Sequence, residues 1–320
     1  MPLAHPPYRW LRQAIASVVS QSYPYWQLVI ALPSSSDQRI LRVAKRFSAR
    51  DRRIQLQLLD PRSTRSCCAN AALAVARGAW ITLLNPDDQL SPDALLWVAR
   101  AIQEHPEAGL IYSDEDSLSE AGRAGDPYFK PAWNPSLQEG QNLVAHLSVF
   151  NHQLLRELAG FRERFEGAED YDLALRCMDV LTMDQVIHIP KILYHRRSLK
   201  RVKETTPAHL PDAIRSASKA LQDHYKRQGI QARIEPIAEG FRAHLSLPTE
   251  PPLVNVVIPT RNQLQLLESC LRSLLEITDY PRLAVLVIDN GSDDAATLAY
   301  MQQIQSDPRV KVRRDPREFN

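Results

Sequence analysis

Hydrophobic positions in the first third of the chain recur at two spacings, one typical of helices and the other of strands. Apolar residues three and four positions apart predict amphipathic helices at 10–20, 37–49, 68–77 and 93–103. Short apolar runs predict strands at 27–32, 54–59, 79–84 and 109–112. Because strands and helices alternate, we expect an α/β fold with a mostly parallel sheet flanked by helices.

The pattern becomes less regular after residue 112 and starts again after a proline-rich linker. The intervening segments are an extended aromatic loop at 127–135, a strand and short helix within 144–159, a helix at 169–180, a strand at 186–195, a helix at 211–228 and a strand at 231–235. After the linker at 247–252, the predicted elements are a strand from 254, a helix at 266–275 and a strand at 283–288. The end of the chain therefore resembles its beginning.

Two pairs of positions at one distance indicate an internal repeat. Tyr23-Pro24 returns as Tyr280-Pro281, and Met1-Pro2 stands at the same offset from Ile258-Pro259, 257 residues in each case. The predicted domains are a first domain at 1–200, a helical extension and linker at 201–252, and the start of a second, similar domain at 253–320. In this alignment the first copy lacks its first strand, and the second ends before any acidic turn. We therefore expect that the chain is part of a longer tandem protein, or that its start site has been wrongly assigned.

Composition narrows the class of protein. The 39 basic and 37 acidic residues give a formal charge of +2, which does not indicate nucleic-acid binding. No run of apolar residues approaches the eighteen or so that a membrane span needs, so no span is predicted. The N-terminus does not have the layout of a signal peptide. The 4 cysteines have no C-x-x-C spacing, which favours a reducing compartment over a zinc site or a disulfide framework. The cytoplasm is the predicted location.

Two clusters of acidic residues stand where chemistry is expected. Asn85-Pro86-Asp87-Asp88 closes the predicted strand 79–84, and such a strand end is where α/β enzymes hold metals and phosphates. The same residues form turns readily, so a purely structural turn is the alternative. Glu169-Asp170 and Asp172 lie at a predicted helix start, where acids stabilise the helix N-terminus in any case.

Several motifs then follow one another in the order of a known enzyme family. The first copy contains Leu83-Leu84-Asn85-Pro86-Asp87-Asp88, Tyr112-Ser113-Asp114-Glu115-Asp116, Pro127-Tyr128-Phe129-Lys130-Pro131, Phe165-Glu166-Gly167-Ala168-Glu169-Asp170-Tyr171-Asp172-Leu173 and Leu193-Tyr194-His195. The second copy contains Ile258-Pro259-Thr260-Arg261-Asn262 and Val287-Ile288-Asp289-Asn290-Gly291-Ser292. With these motifs the chain resembles the family-2 glycosyltransferases of the GT-A fold, in the tandem-domain form of bacterial polysaccharide and O-antigen assembly.

The resemblance implies that a sugar is transferred with inversion from a nucleotide-sugar donor to a saccharide or lipid-linked saccharide acceptor. A divalent cation, Mn²⁺ or Mg²⁺, would neutralise the charge that grows on the diphosphate as the glycosidic bond breaks. Asp170 would be the catalytic base, because the acceptor hydroxyl must lose a proton as it attacks. Asp87 would bind the metal, Asn85 would lie near the donor ribose, and Asp88 would be structural.

The resemblance also implies roles for further residues of the site. The donor-binding residues are Asn85, Asp87, Asn70, Thr260 and Asp289; the acceptor-side residues are Glu169, Asp114, Asp116 and Trp133; the metal ligands are Asp87 and His195. Some of these residues have a structural alternative. His195 could be merely solvated, and Trp133, with Tyr128 and Phe129, could simply pack. A basic run follows His195 and is either a solvated face or a binding site for diphosphate or for the inner membrane surface. Its members are Arg196, Arg197, Lys200, Arg201 and Lys203.

The first copy departs from the family pattern on its donor side. Leu32 and Pro33 align with Asp289 and Asn290 of the second copy, although Asp289 is the expected nucleotide-base contact. Asn85 stands where the family has an acid. A catalytically silent module that binds saccharide or scaffolds the second domain is therefore the alternative function. A nucleotidyltransferase is disfavoured, because the chain has no glycine-rich phosphate loop near its N-terminus.

Overall fold

Two units make up the chain, Met1–Leu245 and Ser246–Asn320. The computed structural model describes residues 1–2, 8–197, 210–238, 240–315 and 317 of them. None of the described helices has both the length and the apolar character that a membrane span requires.

A pair of parallel strands with three helices forms the N-terminal part of the first unit. The elements are α1 (Tyr8–Val19), β1 (Leu28–Pro33), α2 (Gln38–Ser48), β2 (Ile54–Leu59) and α3 (Arg65–Val75). β1 pairs with β2 in parallel along its whole length. α1 forms at this position because Leu11, Ala14 and Ile15 recur at helical spacing and are buried in the core that also holds β1.

A six-stranded sheet with four helices forms the centre of the first unit. The elements are β3 (Trp80–Thr82), β4 (Gln89–Leu90), α4 (Ala94–Glu104), β5 (Leu110–Leu118), β6 (Ala124–Tyr128), α5 (Pro135–Gly140), β7 (Ser148–Asn151), α6 (His152–Glu157), α7 (Glu169–Met178) and β8 (Val186–Arg197), with single 3₁₀ turns at Glu163–Phe165 and Met183–Gln185. The strand order is β3-β7-β5-β8-β4, and β6 pairs with β5.

The predicted alternation of strands and helices is confirmed, but the sheet is mixed instead of mostly parallel. β5 and β8 are parallel, whereas β3, β4, β6 and β7 pair with their neighbours in the antiparallel direction. β6 returns to β5 through a tight turn, which suffices for an antiparallel pair, whereas a parallel pair needs a long crossover. The loop that the sequence predicts at 127–135 overlaps only the last two residues of this strand.

The segment after residue 210 packs onto the first unit. α8 (Leu210–Arg227) lies against α7, and β9 (Ala232–Ile237) and β10 (Gly240–Leu245) form an antiparallel hairpin. Tyr171 of α7 and Leu221 and Tyr225 of α8 belong to one buried cluster. Gly240 has a φ of 151°, and a Cβ there would lie 2.2 Å from the carbonyl oxygen of Gly140, so the hairpin needs glycine here. The segment predicted as extension and linker thus belongs to the first unit as far as Leu245.

The second unit is a three-stranded parallel sheet with helices. Its elements are β11 (Val254–Thr260), α9 (Leu264–Arg272), a π-helical turn (Ser273–Ile277), β12 (Leu283–Asp289), α10 (Ala295–Ile304) and β13 (Val310–Arg314). The strand order is β11-β12-β13, and both pairs are parallel. The first two strands and the helix between them lie where the sequence predicts them.

The strand pairing at one edge of β1 is equivalent to a strand pairing in the second unit. Pro2 pairs in parallel with Ala31 of β1, and the equivalent pair in the second unit is Pro259 with Ile288, offset by 257 residues in both members. β11 covers this edge along the whole of β12. In the first unit, a cavity of about 1200 Å³ lies between β1 and β3, with α3 and α4 also lining it. We propose that the two units are copies of one domain.

We expect a copy of Leu253–Ile258, placed before Pro2 in exchange for Met1, to fill this cavity as a strand parallel to β1. A fully buried aliphatic side chain contributes about 1.5–3 kcal/mol, and ordering the added backbone offsets part of this gain. The free energy of unfolding in urea should therefore rise by about 2–4 kcal/mol. A control with proline at the position of Val256 removes a ladder hydrogen bond and should lose the gain. Equal stability of the extended and original chains would contradict the equivalence of the units.

Candidate functional site

The acidic turn follows β3 and is tied to β8 by Asp88. Asp88 is buried, and its Oδ2 accepts hydrogen bonds from Asn85 Nδ2 at 2.8 Å and from the Tyr194 hydroxyl at 2.6 Å. Its Oδ1 accepts the backbone N–H of Arg197 at 2.7 Å. Asp88 therefore fixes the turn to the sheet, which agrees with a structural role.

Asp87 presents a carboxylate that no other side chain neutralises directly. Among the described residues, no other side chain forms a hydrogen bond or an ion pair with it. Burial raises the pKa of Asp87, and the neighbouring charge of Asp88 raises it further. A half-buried carboxylate without a side-chain partner is unfavourable, and a bound cation would relieve this. Asp87 therefore fits its predicted role as a metal ligand.

His195 lies beside the turn and is oriented by Asp116. Because β8 pairs with β4, His195 is the partner of Gln89, two residues after Asp87. His195 Nδ1 lies 2.6 Å from Asp116 Oδ1. A carboxylate at one ring nitrogen orients the other, and this arrangement is common around metal-binding histidines.

The metal ligands predicted from the sequence do not form a complete cage. In the part of the chain that the structure describes, no three His, Cys, Asp or Glu side chains are grouped closely enough to hold a metal ion. A metal bound by Asp87 and His195 would complete its coordination with oxygen atoms of a ligand and water.

Glu169 and Asp170 begin α7, and their carboxylates have different surroundings. Glu169 is buried, with Oε1 2.6 Å from Arg65 Nε and with Oε2 accepting the Gly167 N–H at 2.7 Å. Burial raises the pKa of Glu169, although the charge of Arg65 opposes this shift. Asp170 is half-buried, and its Oδ2 accepts a hydrogen bond from Asn142 Nδ2 at 3.3 Å. Glu169 is thus committed to internal contacts, whereas Asp170 is accessible.

A small pocket joins the acidic turn to the start of α7. Asn85 and Asp170, which lie far apart in the sequence, both line it. The other lining residues are Arg65, Leu83, Ala145, His146, Ser148 and Phe150. The geometry therefore brings the predicted donor-side turn and the predicted base to one cavity.

Sequence reasoning missed three polar residues around this pocket, Arg65, Asn142 and His146. His146 donates its backbone N–H to Glu115 Oε2 at 2.9 Å, its Nδ1 lies 3.2 Å from the same oxygen, and its ring stacks on Tyr194. No local motif marks His146 or Asn142, because their partners come from other elements. Arg65 gives only a weak signal, as an arginine just before the predicted helix 68–77.

The acidic run of β5 is paired inside the protein. Asp114 Oδ1 accepts the backbone N–H of Lys130 at 2.9 Å and lies 2.8 Å from His188 Nε2. Asp116 is also buried and contacts His195. The acceptor-side roles of Asp114 and Asp116 stay predictions, and both acids have internal partners that the sequence did not indicate.

The three residues of the predicted aromatic platform differ in their exposure to solvent. Trp133 is half-buried and packs against the apolar cluster that includes Leu143 and Phe150. Tyr128 is 37% exposed and Phe129 is 68% exposed. The contacts of Trp133 therefore match the packing alternative, while Phe129 remains open to solvent.

The basic run after His195 is only partly described. Arg197 is buried, and its Nη1 donates to the carbonyl oxygen of Ser119 at 2.8 Å. Arg196 is exposed, with Nε 3.8 Å from Glu115 Oε1. The remaining members, Lys200, Arg201 and Lys203, lie outside the described residues.

Asn70 and Leu32 have structural surroundings in the first unit. Asn70 Nδ2 donates to the carbonyl oxygen of Phe161 at 2.7 Å, and its Oδ1 accepts the N–H of Phe161 at 2.9 Å. These two bonds tie Asn70 to the backbone of Phe161, and its contact with a donor stays a prediction. Leu32 is fully buried in the core and Pro33 ends β1, so this strand end offers no polar side chain.

In the second unit, the two predicted donor-side residues are neighbours. Thr260 and Asp289 end the parallel strands β11 and β12 and face each other in the ladder. Asp289 is buried, and its Oδ1 accepts the N–H of Ser292 at 2.9 Å. The predicted pair is therefore present at one strand end, and its contact with a nucleotide stays a prediction.

Sequence comparisons place the chain among longer proteins. It is 40% identical to the uncharacterized protein y4gI of Sinorhizobium fredii over all of this chain and 36% of that protein. It is 32% identical to the O-antigen biosynthesis protein RfbC of Myxococcus xanthus over 94% of this chain and 23% of that protein. The chain thus spans about a third or less of the length of these relatives.

A solved structure and a family profile agree with the fold described above. The crystal structure of S. aureus TarS 1-349 matches with a TM-score of 0.50 and 14% identity, over 78% of this chain and 96% of that one. This likeness bears on the fold alone, and it confirms the predicted GT-A architecture. The profile of glycosyl transferase family 2 matches residues 7–159 and 255–320, which is most of the chain. The chain belongs to glycosyl transferase family 2.

Proposed function

We propose that the chain transfers a sugar from a nucleotide-sugar donor to a saccharide or lipid-linked saccharide acceptor in cell-surface polysaccharide assembly. Family membership supports transfer, and the name of the relative RfbC supports O-antigen or similar polysaccharides as the product class. The observation that carries the proposal is the pocket lined by both Asn85 and Asp170, because it joins a donor-side turn to a carboxylate base.

Asp170 acts as the base in a single displacement. The acceptor hydroxyl attacks the anomeric carbon opposite the diphosphate, and Asp170 takes the hydroxyl proton. The bond between the anomeric carbon and the diphosphate oxygen breaks, its electron pair remains on the nucleoside diphosphate, and the anomeric configuration inverts. Asp170 is better suited than Glu169, because Glu169 is held by Arg65 at 2.6 Å.

Asp87 and His195 hold the divalent cation, Mn²⁺ or Mg²⁺, that the family resemblance implies. The carboxylate of Asp87, which bonds to no other side chain among the described residues, and the orientation of His195 by Asp116 support this assignment. When bound, such a cation stabilises the negative charge of a departing diphosphate. Asp116 keeps the ring of His195 in position.

A transfer assay tests the proposal. The purified chain is incubated with Mn²⁺, a panel of nucleotide sugars and oligosaccharide acceptors, and the released nucleoside diphosphate is measured. We expect release that requires both the acceptor and the cation. Saturable donor binding without acceptor-dependent release would contradict the enzymatic proposal.

The silent module stays the alternative, because one observation favours it. Leu32 and Pro33 leave the end of β1 without a polar group, and the amide of Asn85 is already bonded to Asp88 and Arg65. Calorimetric titration with nucleotide sugars and Mn²⁺ separates the two functions. Clear saturable binding to the first unit would contradict a module without a donor site.

A lipid-linked acceptor would place the protein in the cytoplasm, peripherally at the inner face of the cell membrane. The exposed Arg196 supports such a contact, since anionic lipids attract basic side chains. Co-sedimentation with vesicles of anionic and of neutral lipid tests this location. Equal recovery with both kinds of vesicle would contradict it.

A further inference from the structure

Arg65 is anchored at the first position of α3. The backbone N–H groups of Arg65 and Ser66 donate to the carboxylate oxygens of Glu166 at 2.8 and 3.2 Å, and the Ser66 hydroxyl donates to the same carboxylate at 2.9 Å. The side chain of Thr64 caps the helix by accepting the N–H of Cys67. These bonds fix the start of α3 and therefore the base of the Arg65 side chain.

The guanidinium of Arg65 has unused donors at the pocket. Its Nη2 donates to Asn85 Oδ1 at 2.7 Å, and its Nε lies 2.6 Å from Glu169 Oε1. A guanidinium carries five N–H groups, and in the described part of the chain the others bond to no protein acceptor. The side chain lines the pocket beside Asp170 and is 31% exposed. Donors without an acceptor are therefore available in this cavity.

The charges around the pocket make this arginine important for an anionic ligand. Glu169 and Asp170 interact electrostatically with Arg65, and its charge also acts on Asp87. Without a cation, these three carboxylates would repel a diphosphate. A guanidinium is planar and can bind two phosphate oxygens at once, which an ammonium group does less well.

We infer that the guanidinium of Arg65 binds the diphosphate of the donor. The protein itself thus supplies a positive charge at the diphosphate, alongside any divalent ion held by Asp87. This inference rests on the proposed function and adds a residue that binds the substrate. As the anomeric carbon–oxygen bond breaks, the electron pair stays on the diphosphate, and the N–H groups of Arg65 bond its oxygens without giving up a proton. A nucleoside diphosphate should consequently still bind when divalent ions are removed.

Calorimetry with UDP and GDP, each in EDTA and in Mn²⁺, tests the inference. We expect the chain to bind one of them in EDTA with an affinity within about tenfold of that in Mn²⁺. Arg65→Met should weaken binding in EDTA by about 10- to 100-fold, the effect of losing a hydrogen bond to a charged group. Arg65→Lys should recover part of the loss, because it keeps the charge but not the planar fork.

Arg100→Met serves as the matched control, because Arg100 pairs with Glu104 on the exposed face of α4. It should bind both nucleotides as the original chain does. Thermal unfolding without ligand checks the fold of each variant. If Arg65→Met does not fold, Arg65→Lys carries the test, with weaker binding in EDTA expected at an unchanged unfolding temperature.

Two results would overturn the inference alone. If the original chain and Arg65→Met bound the nucleotide with equal affinity, the role of Arg65 would be limited to its ion pair with Glu169. If binding occurred only with Mn²⁺, the metal ion and not Arg65 would neutralise the diphosphate. A lack of binding of both nucleotides under both conditions would overturn the proposed function as well. The failures of the two proposals are therefore distinguishable.

Discussion

Replacement of Asp170 by asparagine should lower kcat for sugar transfer by about 10²- to 10⁴-fold, the contribution of a positioned general base. Asparagine keeps the shape of the side chain and a carbonyl oxygen that can accept the bond from Asn142, but it cannot take the acceptor proton. KM for the donor should change little, because Asp170 is assigned to the acceptor hydroxyl. Initial rates of nucleoside diphosphate release, measured with saturating donor and acceptor, give the comparison.

Asp212→Asn is the control for this substitution, because Asp212 is exposed and, among the described residues, pairs only with Arg215 on the same helix. It should transfer at the rate of the original chain. Retention of full activity by Asp170→Asn would assign the base elsewhere and leave the position of the pocket unexplained.

Replacement of Asp172 by alanine should lower the free energy of unfolding by about 3–5 kcal/mol, the effect of removing one partner of a buried ion pair. Asp172 is fully buried, and its carboxylate accepts hydrogen bonds from Arg162 and Arg176. Burial lowers the pKa of the Arg176 guanidinium, and the charge of Asp172 opposes this shift. Alanine would leave Arg176 as a buried cation whose remaining acceptors, among the residues that the structure describes, are the carbonyl oxygens of Leu158 and Gly160. Urea unfolding followed by circular dichroism measures the loss.

Asp223 offers a graded comparison, since it also pairs with Arg162 but its side chain is 25% exposed. Asp223→Ala should cost less than Asp172→Ala, because solvent screens the unpaired charge. If both variants were equally stable, the buried network would not be what holds α7 to the preceding loop.

Sequence patterns predicted the elements whose stability comes from a single apolar face. β2 begins and ends where its apolar run does, and α4 begins and ends within one residue of its predicted bounds. The acidic turn and the start of α7 were also predictable as candidate sites, because both carry polar residues at element ends. Their approach in one pocket depends on the sheet, and the family resemblance supplied that expectation.

Other features depend on partners that the local sequence does not show. The strand β5 continues through Asp114 and Asp116, residues that disfavour strands, because histidines of β8 pair with them. Arg65 reads locally as an ordinary helix-start residue, and only the folded chain places it between Asn85 and Glu169. The hairpin strand β10 was missed because its packing against α5 depends on a close approach at Gly240.

The most direct measurement is the anomeric configuration of the transferred sugar, determined by NMR on the product made by this chain. A single displacement with Asp170 as the base predicts a configuration opposite to that of the donor, and about 10²- to 10⁴-fold slower formation of product by Asp170→Asn. A product that keeps the donor configuration, or one formed at the same rate by Asp170→Asn, would contradict the account.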